Sequence, residues 1–290
     1  MRGANSGSMG GWSLMHLKRG SLNSAGGRVF PGVAAAAVSL MALFGILSHA
    51  PAQSEGTDSA EDEKRMELHL YMKGRYVFQK NCVDCHGSTG RGNGPWAAEL
   101  DVKPRNFRTG LFKFRTTPYG KLPVNDDLRR TIRSGISGTA MPVFSHLLDD
   151  EVDALIIYLQ NLSRSWSDET LHAVPLTIPA IPEWFSSVEE RSSHAVKGRT
   201  RFGELCAVCH GVAGRGDGPG GVQLVDAWEQ PIRPANLSAP HHKSGDSPRD
   251  LYRTIATGMN GTPMMGFAGF VTEAEIWDLV VFILESEEKP

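Results

Sequence analysis

The 290-residue chain has 40% hydrophobic and 21% charged residues and a formal charge of −2, which excludes disorder throughout and collagen-like repetition. A near-neutral total also excludes a broad basic surface, so no nucleic-acid partner is expected. At roughly 100–200 residues per domain, the length suits two modest domains better than one large core.

The charge is unevenly placed. Residues 1–52 carry Arg2, Lys18, Arg19 and Arg28 and no acidic residue, which leaves the remainder net acidic. Residues 29–47 hold no charged side chain, follow Arg28, and run into Ala50-Pro51-Ala52. Basic stretch, apolar stretch and A-x-A site in that order form the layout of a secretory signal peptide cut after Ala52. The main alternative is an N-terminal membrane anchor, since about 20 apolar residues span a bilayer and this stretch approaches that length. A buried core helix fits less well, because it would show polar positions at helical spacing. Both main readings place residues 53–290 outside the cytoplasm, in a periplasmic or equivalent compartment.

The next expected element is a helix leading into Cys82. Leu70, Gly74 and Phe78 stand four apart, so one helix face offers a glycine notch beside an aromatic ring. Cys82-x-x-Cys85-His86 follows, then the run Gly87-Ser88-Thr89-Gly90-Arg91-Gly92-Asn93-Gly94-Pro95. Lys103-Pro104-Arg105-Asn106-Phe107, Asp127-Leu128-Arg129-Arg130-Thr131-Ile132 and Gly135-Ile136-Ser137-Gly138-Thr139-Ala140-Met141 come after it. A closing helix is expected over 149–162, its stripe of Val152, Leu155, Ile156 and Leu159 facing the opening helix. Pro175, Pro179 and Pro182 then forbid an interior helix or central strand, so 172–182 reads as an extended linker.

Beyond the linker the same order recurs. Gly198 and Phe202 precede Cys206-x-x-Cys209-His210, and Gly211 to Pro219 repeats the glycine-rich run. Arg233-Pro234-Ala235-Asn236-Leu237, Asp250-Leu251-Tyr252-Arg253-Thr254-Ile255 and Gly258-Met259-Asn260-Gly261-Thr262-Pro263-Met264 follow. A second closing helix is expected over 272–286, with Thr272 and Glu275 as a capping box and Ile276, Leu279, Val280 and Ile283 as its stripe. Cys206 lies 124 residues after Cys82, and Met264 lies 123 after Met141. Ordered blocks at a near-constant displacement are two copies of one domain. The expected organisation is residues 1–52 as signal or anchor, 61–163 and 191–287 as the two domains, and 164–190 as a proline-containing linker.

All four cysteines fall in the two C-x-x-C-H motifs. Thiols three positions apart on a helix end can form thioether bonds to the two vinyl groups of one haem, and the next residue's imidazole then lies under the iron. A dithiol redox pair does not need that histidine, and zinc would need more Cys or His at regular spacing. Two covalently attached haem c groups are therefore expected, on Cys82, Cys85 and His86 and on Cys206, Cys209 and His210. The repeated Gly-Thr-x-Met supplies the distal side, pairing His86 with Met141 and His210 with Met264. Met265 is the neighbouring rival, but the register against Gly261-Thr262 selects Met264. His69, His146, His194, His241 and His242 have no repeated ligand position and read as surface residues.

These motifs, in this order, resemble two fused class I cytochrome c domains over residues 61–287. The resemblance implies an all-α fold, two tandem domains each wrapped around a covalently bound haem. It also implies that a proline carbonyl holds the proximal imidazole; Pro104 and Pro234 are the first candidates and Pro95 and Pro219 the rivals. The copies differ in Phe112-Lys113-Phe114-Arg115, which has no counterpart in the second. Arg105 and Arg115 are candidates for haem propionates, with solvated surface arginine as the alternative. Unlike shells imply unlike potentials, the extra cations favouring a higher one at the first haem.

The expected function is an exported dihaem c-type cytochrome that transfers single electrons between donor and acceptor redox proteins, without being an enzyme and with no catalytic residue. One alternative is a haem subunit of a membrane-associated respiratory or periplasmic oxidoreductase complex. Another is a dihaem peroxidase or small sulfur-compound dehydrogenase, which would need an open distal site on one haem.

Overall fold

The computed structural model describes residues 55–286; the basic and apolar stretches of 1–52 lie outside them. Residues 61–286 belong to one compact unit that holds both copies. Each copy is the same four-helix arrangement. The first comprises α1 (Glu55–Asn81), the single turn α2 (Val83–His86), α3 (Asn125–Ser134) and α4 (Asp149–Asn161). The second comprises α5 (Val188–Leu205), α6 (Ala207–His210), α7 (Pro248–Thr257) and α8 (Glu273–Ser286). Among the described residues there is no strand, only two isolated bridges, and no helix is long and apolar enough to cross a membrane.

The opening and closing helices meet at the glycine notches. A Cβ on Gly74 would overlap the carbonyl of Ala154 and stand 2.9 Å from Tyr158 Cβ; on Gly198 it would overlap the carbonyl of Asp278 and stand 2.9 Å from Phe282 Cβ. The notch lets the backbones approach closely enough to bury one aromatic per copy beside it. Phe78 and Phe202 are 0% and 1% exposed, with Phe78 5.2 Å from the Tyr158 ring and Phe202 5.0 Å from Phe282. Truncating either to Ala would cost about 3–5 kcal/mol. The closing-helix stripes lie in the two cores as their spacing requires, Val152, Leu155, Ile156 and Leu159 in one and Ile276, Leu279, Val280 and Ile283 in the other. Thr272 caps α8 as a box: its hydroxyl accepts from Glu275 N, and Glu275 Oε2 accepts from Thr272 N at 2.8 Å.

The proline-containing stretch is not free of the domains. Its prolines do exclude a long helix, but the apolar residues among them are packed: Trp166 is buried in the first core with Leu171 against it, and Leu176, Ile178, Trp184 and Phe185 cover the second. Backbone bonds pin it as well, Leu122 N donating to Leu171 O and Leu176 N to Thr116 O.

The copies are joined through a first-copy segment that has no counterpart in the second. Arg115, 0% exposed, donates from Nη2 to Thr257 O at 2.6 Å and from Nη1 to Gly258 O at 3.1 Å. Those carbonyls end α7, where a cation also meets the negative end of the helix dipole. Asn260 closes the same contact, its Oδ1 accepting from Gly120 N and its Nδ2 donating to Lys121 O. Arg115 is therefore neither a propionate partner nor a solvated surface residue. Its remaining bonds, from Nε to Pro118 O and from Nη1 to Lys113 O, stay within its own segment, so the side chain is engaged by carbonyls of both copies and the higher first-haem potential loses Arg115 as a basis.

Candidate haem-binding site

The two C-x-x-C-H motifs occupy equivalent places. Each starts where a long opening helix breaks, at Cys82 after α1 and Cys206 after α5, and each continues as a single turn ending at the histidine. The glycine-rich run then folds back on that turn: Gly92 N donates to His86 O, and Gly216 N to His210 O, both at 2.8 Å. Gly92 and Gly216 have φ of +75° and +76°, and a Cβ on either would overlap a proline carbonyl, Pro104 or Pro234. Only glycine meets both demands.

The proximal histidines are held alike. His86 Nδ1 lies 3.0 Å from Arg105 O, and His210 Nδ1 lies 3.1 Å from Ala235 O. A carbonyl can only accept, so each Nδ1 carries the hydrogen and each Nε2 keeps its lone pair for a metal. The holding carbonyl is thus one residue beyond the expected Pro104 and Pro234, and Pro95 and Pro219 are not used. The reason is the turn that follows: Asn106 Oδ1 accepts from Arg108 N, and Asn236 Oδ1 from Ser238 N, both at 3.0 Å. With Phe107 N on Gly90 O and Leu237 N on Gly214 O, these turns fix the orientation of the carbonyl just before each asparagine. Burial pushes both imidazoles below the ordinary histidine range, outweighing the rise from the backbone hydrogen bond, which keeps them neutral as a metal ligand requires.

The thiols are shifted the other way. Burial, with the neighbouring Cys85, pushes Cys82 up to about 12, and burial with Cys209 pushes Cys206 up to about 11. A dithiol redox pair needs a lowered value, so this environment argues against that reading.

The distal loops match bond for bond. Ile136 N donates to Met141 O, Thr139 N to Ile136 O, and Met141 N to Thr139 Oγ1. In the second copy Met259 N donates to Met264 O, Thr262 N to Met259 O, and Met264 N to Thr262 Oγ1. Met264, not Met265, is therefore the structural equivalent of Met141; Met265 is 46% exposed.

All eight residues line one continuous cavity of about 1470 Å³, larger than the roughly 300–1,000 Å³ of ordinary small-ligand pockets. The walls are mainly apolar, with Leu155, Leu159, Leu279 and Ile283 among them. In each copy two thiols, an imidazole and a thioether face this space, and that donor set fits a covalently attached haem. The surroundings differ. Phe107 stacks on the His86 ring at 4.5 Å, whereas Leu237 takes its place after Asn236.

Three features of this region escaped the sequence. His242 is buried, at 5% exposure, and lines the cavity with His241, so it is not a surface residue. His194 is half-buried, stacked on Trp184 at 3.7 Å and bonded to Asp278; His69 and His146 are exposed. Trp228 also lines the cavity. It sits on a loop signalled by spacing, since Pro219 to Pro234 spans 15 positions against nine from Pro95 to Pro104.

Comparison with known proteins agrees with this construction. Residues 69–159 match the family model of cytochrome c oxidase, cbb3-type, subunit III, and residues 195–287 match that of cytochrome c. The cbb3-type cytochrome c oxidase subunit CcoP of Azospirillum sp. (strain B510) is 24% identical over 233 residues, covering 79% of this chain and 67% of that protein. CcoP of Azospirillum brasilense is 24% identical over 210 residues, 72% of this chain and 60% of its own length. The chain thus spans between three fifths and about two thirds of these relatives. Among solved structures, a chain of the Kuenenia stuttgartiensis reducing HAO-like protein complex Kustc0457/Kustc0458 is 32% identical with a TM-score of 0.69, over 74% of this chain and 96% of that one. With two family matches in tandem, each over one C-x-x-C-H copy, the chain belongs to the cytochrome c family, as a dihaem electron-transfer protein of two fused cytochrome c domains.

Proposed function

We propose that His86 and Met141 hold one haem iron and His210 and Met264 the other, and that the chain relays single electrons as the haem subunit of a membrane-associated respiratory or periplasmic oxidoreductase complex, with no substrate chemistry of its own. The observation that carries this reading is the bond-for-bond identity of the two distal loops, which brings one thioether per copy to the cavity. A bound haem supplies the one-electron couple, and the protein sets ligation, potential and exposure. The thioether is a neutral soft ligand, and with histidine opposite it raises the reduction potential. A closed distal position suits a carrier, whereas peroxidase or sulfur-compound chemistry needs an open one. The named relatives, an oxidase subunit and a chain of a multi-protein complex, support membership of an assembly with redox donors and acceptors. The basic and apolar N-terminal stretches support an extracytoplasmic place, with residues 29–47 as signal or anchor.

Two measurements check the proposal. Met264→Ala should remove thioether ligation at the second haem, seen in the visible spectrum and in a lowered potential, while Met265→Ala should leave both intact; the reverse pattern would refute the assignment. The reduced protein at neutral pH should bind carbon monoxide poorly at both haems. Rapid binding at one haem of undamaged protein would show an exchangeable distal site and overturn the carrier reading in favour of catalysis.

A further inference from the structure

Where the two copies face the shared cavity, charge is left uncompensated. Arg105 and Lys113 of the first copy line it, as do Asp226, Trp228 and Lys243 of the second. None of the three cations forms an ion pair among the described residues, and Asp226 is the single carboxylate acting on Arg105. Burial pushes Arg105 down to about 10, and burial together with Arg105 pushes Lys113 down to about 8, with Lys243 adding to the repulsion and Asp226 opposing it. Arg105 and Lys113 are half-buried while Lys243 is exposed, and half-buried cations left unpaired are costly unless an anion joins them.

Trp228 is the second, independent observation. The Arg105 guanidinium lies over its ring at 3.8 Å, and its indole Nε1 is buried with no hydrogen-bond acceptor. A buried indole N–H normally finds a partner. The backbone that carries the ring is also pinned: Asp226 Oδ1 accepts from Trp228 N and Gln230 N, and Ala227 N donates to Gly261 O on the distal loop. Glu229, next to Trp228, has φ +60°, a left-handed conformation that is strained for a non-glycine residue and so needs support from its surroundings.

We propose that Arg105 and Trp228, from different copies, form one carboxylate-binding site that holds a propionate of the first haem. The guanidinium fork, over the indole ring, offers its N–H groups to the carboxylate, and Trp228 Nε1–H supplies a further donor. Lys113 and Lys243 add positive potential at the same wall. The first haem is chosen because the Arg105 carbonyl already holds its proximal His86, so one residue touches that haem's ligand and reaches its carboxylate. Both residues act as positioning residues, and a second-copy side chain thereby helps set a first-copy potential. The inference rests on each C-x-x-C-H carrying a haem, so haem content is measured alongside.

The test is a redox titration of the intact dihaem protein. The two potentials are assigned by which one falls in Met141→His and which in Met264→His. Positive charge near a haem disfavours its ferric state, so Arg105→Gln should lower the first haem's potential, and Arg105→Lys should restore part of it. Trp228→Leu should lower the same potential, although Trp228 belongs to the other copy. The double variant should shift it by less than the sum of the single shifts, as expected of residues sharing one partner. Two haems per chain with Trp228→Leu moving only the second potential, or neither, would overturn the shared site. Fewer than two haems in the unsubstituted protein would instead refute the haem reading beneath it.

Discussion

Gly198→Val is expected to unfold the second copy, while Gly203→Ala, five residues later in the same helix, is expected to stabilise it slightly. A Cβ at 198 would fall inside the carbonyl of Asp278, and that oxygen belongs to the backbone of α8 and cannot step aside alone. Relief requires α5 and α8 to separate, which uncovers Phe202 and the stripe of Ile276, Leu279, Val280 and Ile283. Overpacking of side chains costs about 1–3 kcal/mol, and a backbone clash at the centre of the interface should reach about 3 kcal/mol or more. A Cβ at 203 meets nothing within 4 Å, and alanine there gains about 0.5–1 kcal/mol over glycine in a helix. Denaturant unfolding of the haem-loaded protein, followed by circular dichroism, reads both. Equal midpoints for Gly198→Val and the parent would contradict the close approach. Gly74→Val should do to the first copy what Gly198→Val does to the second.

The second large effect is expected at Arg115. Arg115→Met keeps much of the side chain's bulk and removes every N–H, leaving the carbonyls of Thr257 and Gly258 without this partner inside a dry contact. Hydrogen bonds from a charged donor are worth about 1.5–3 kcal/mol each, so losing two across the copies should cost on the order of 3 kcal/mol. The loss should appear as a lower unfolding midpoint, with the two copies unfolding less cooperatively. Arg115→Lys should not rescue it, because an ammonium cannot span the two carbonyls as a planar fork does. A variant with parental stability and a lowered first-haem potential would instead return Arg115 to the haem.

What could be read from the sequence follows from how local each signal is. The opening and closing helices announce themselves through residues three and four apart. The glycine notches were legible because Gly74 and Gly198 recur at the same distance before a Cys pair. The distal loops were legible because repetition singles out Met264 beside Met265. The holding carbonyl was misplaced by one residue, since no spacing says which of two successive carbonyls turns inward; the asparagine-capped turn decides that. Arg115, Trp228 and His242 were missed or misread because of where they lie. They lie on segments without periodicity, and for Arg115 and Trp228 the partners are more than 100 residues away along the chain. The unequal spacings around Pro104 and Pro234 marked where those segments begin, but not what they would touch. Proline correctly ruled out a helix in the linker, yet it says nothing about where Leu176 and Ile178 would pack.

The contact made by Arg115 also bears on self-assembly. It is head to tail, with a projection from the first copy seated on the helix end of the second. Head-to-tail contacts between like units can continue without limit and give open filaments unless something ends the series. The second copy has no segment corresponding to Phe112-Lys113-Phe114-Arg115 with which to repeat this contact on a neighbouring molecule. The two copies offer similar surfaces of unequal length, and the contact described is made within a single chain. Grafting residues 112–121 into the matching place of the second copy would restore a repeating interface, and concentration-dependent polymers are the expected result.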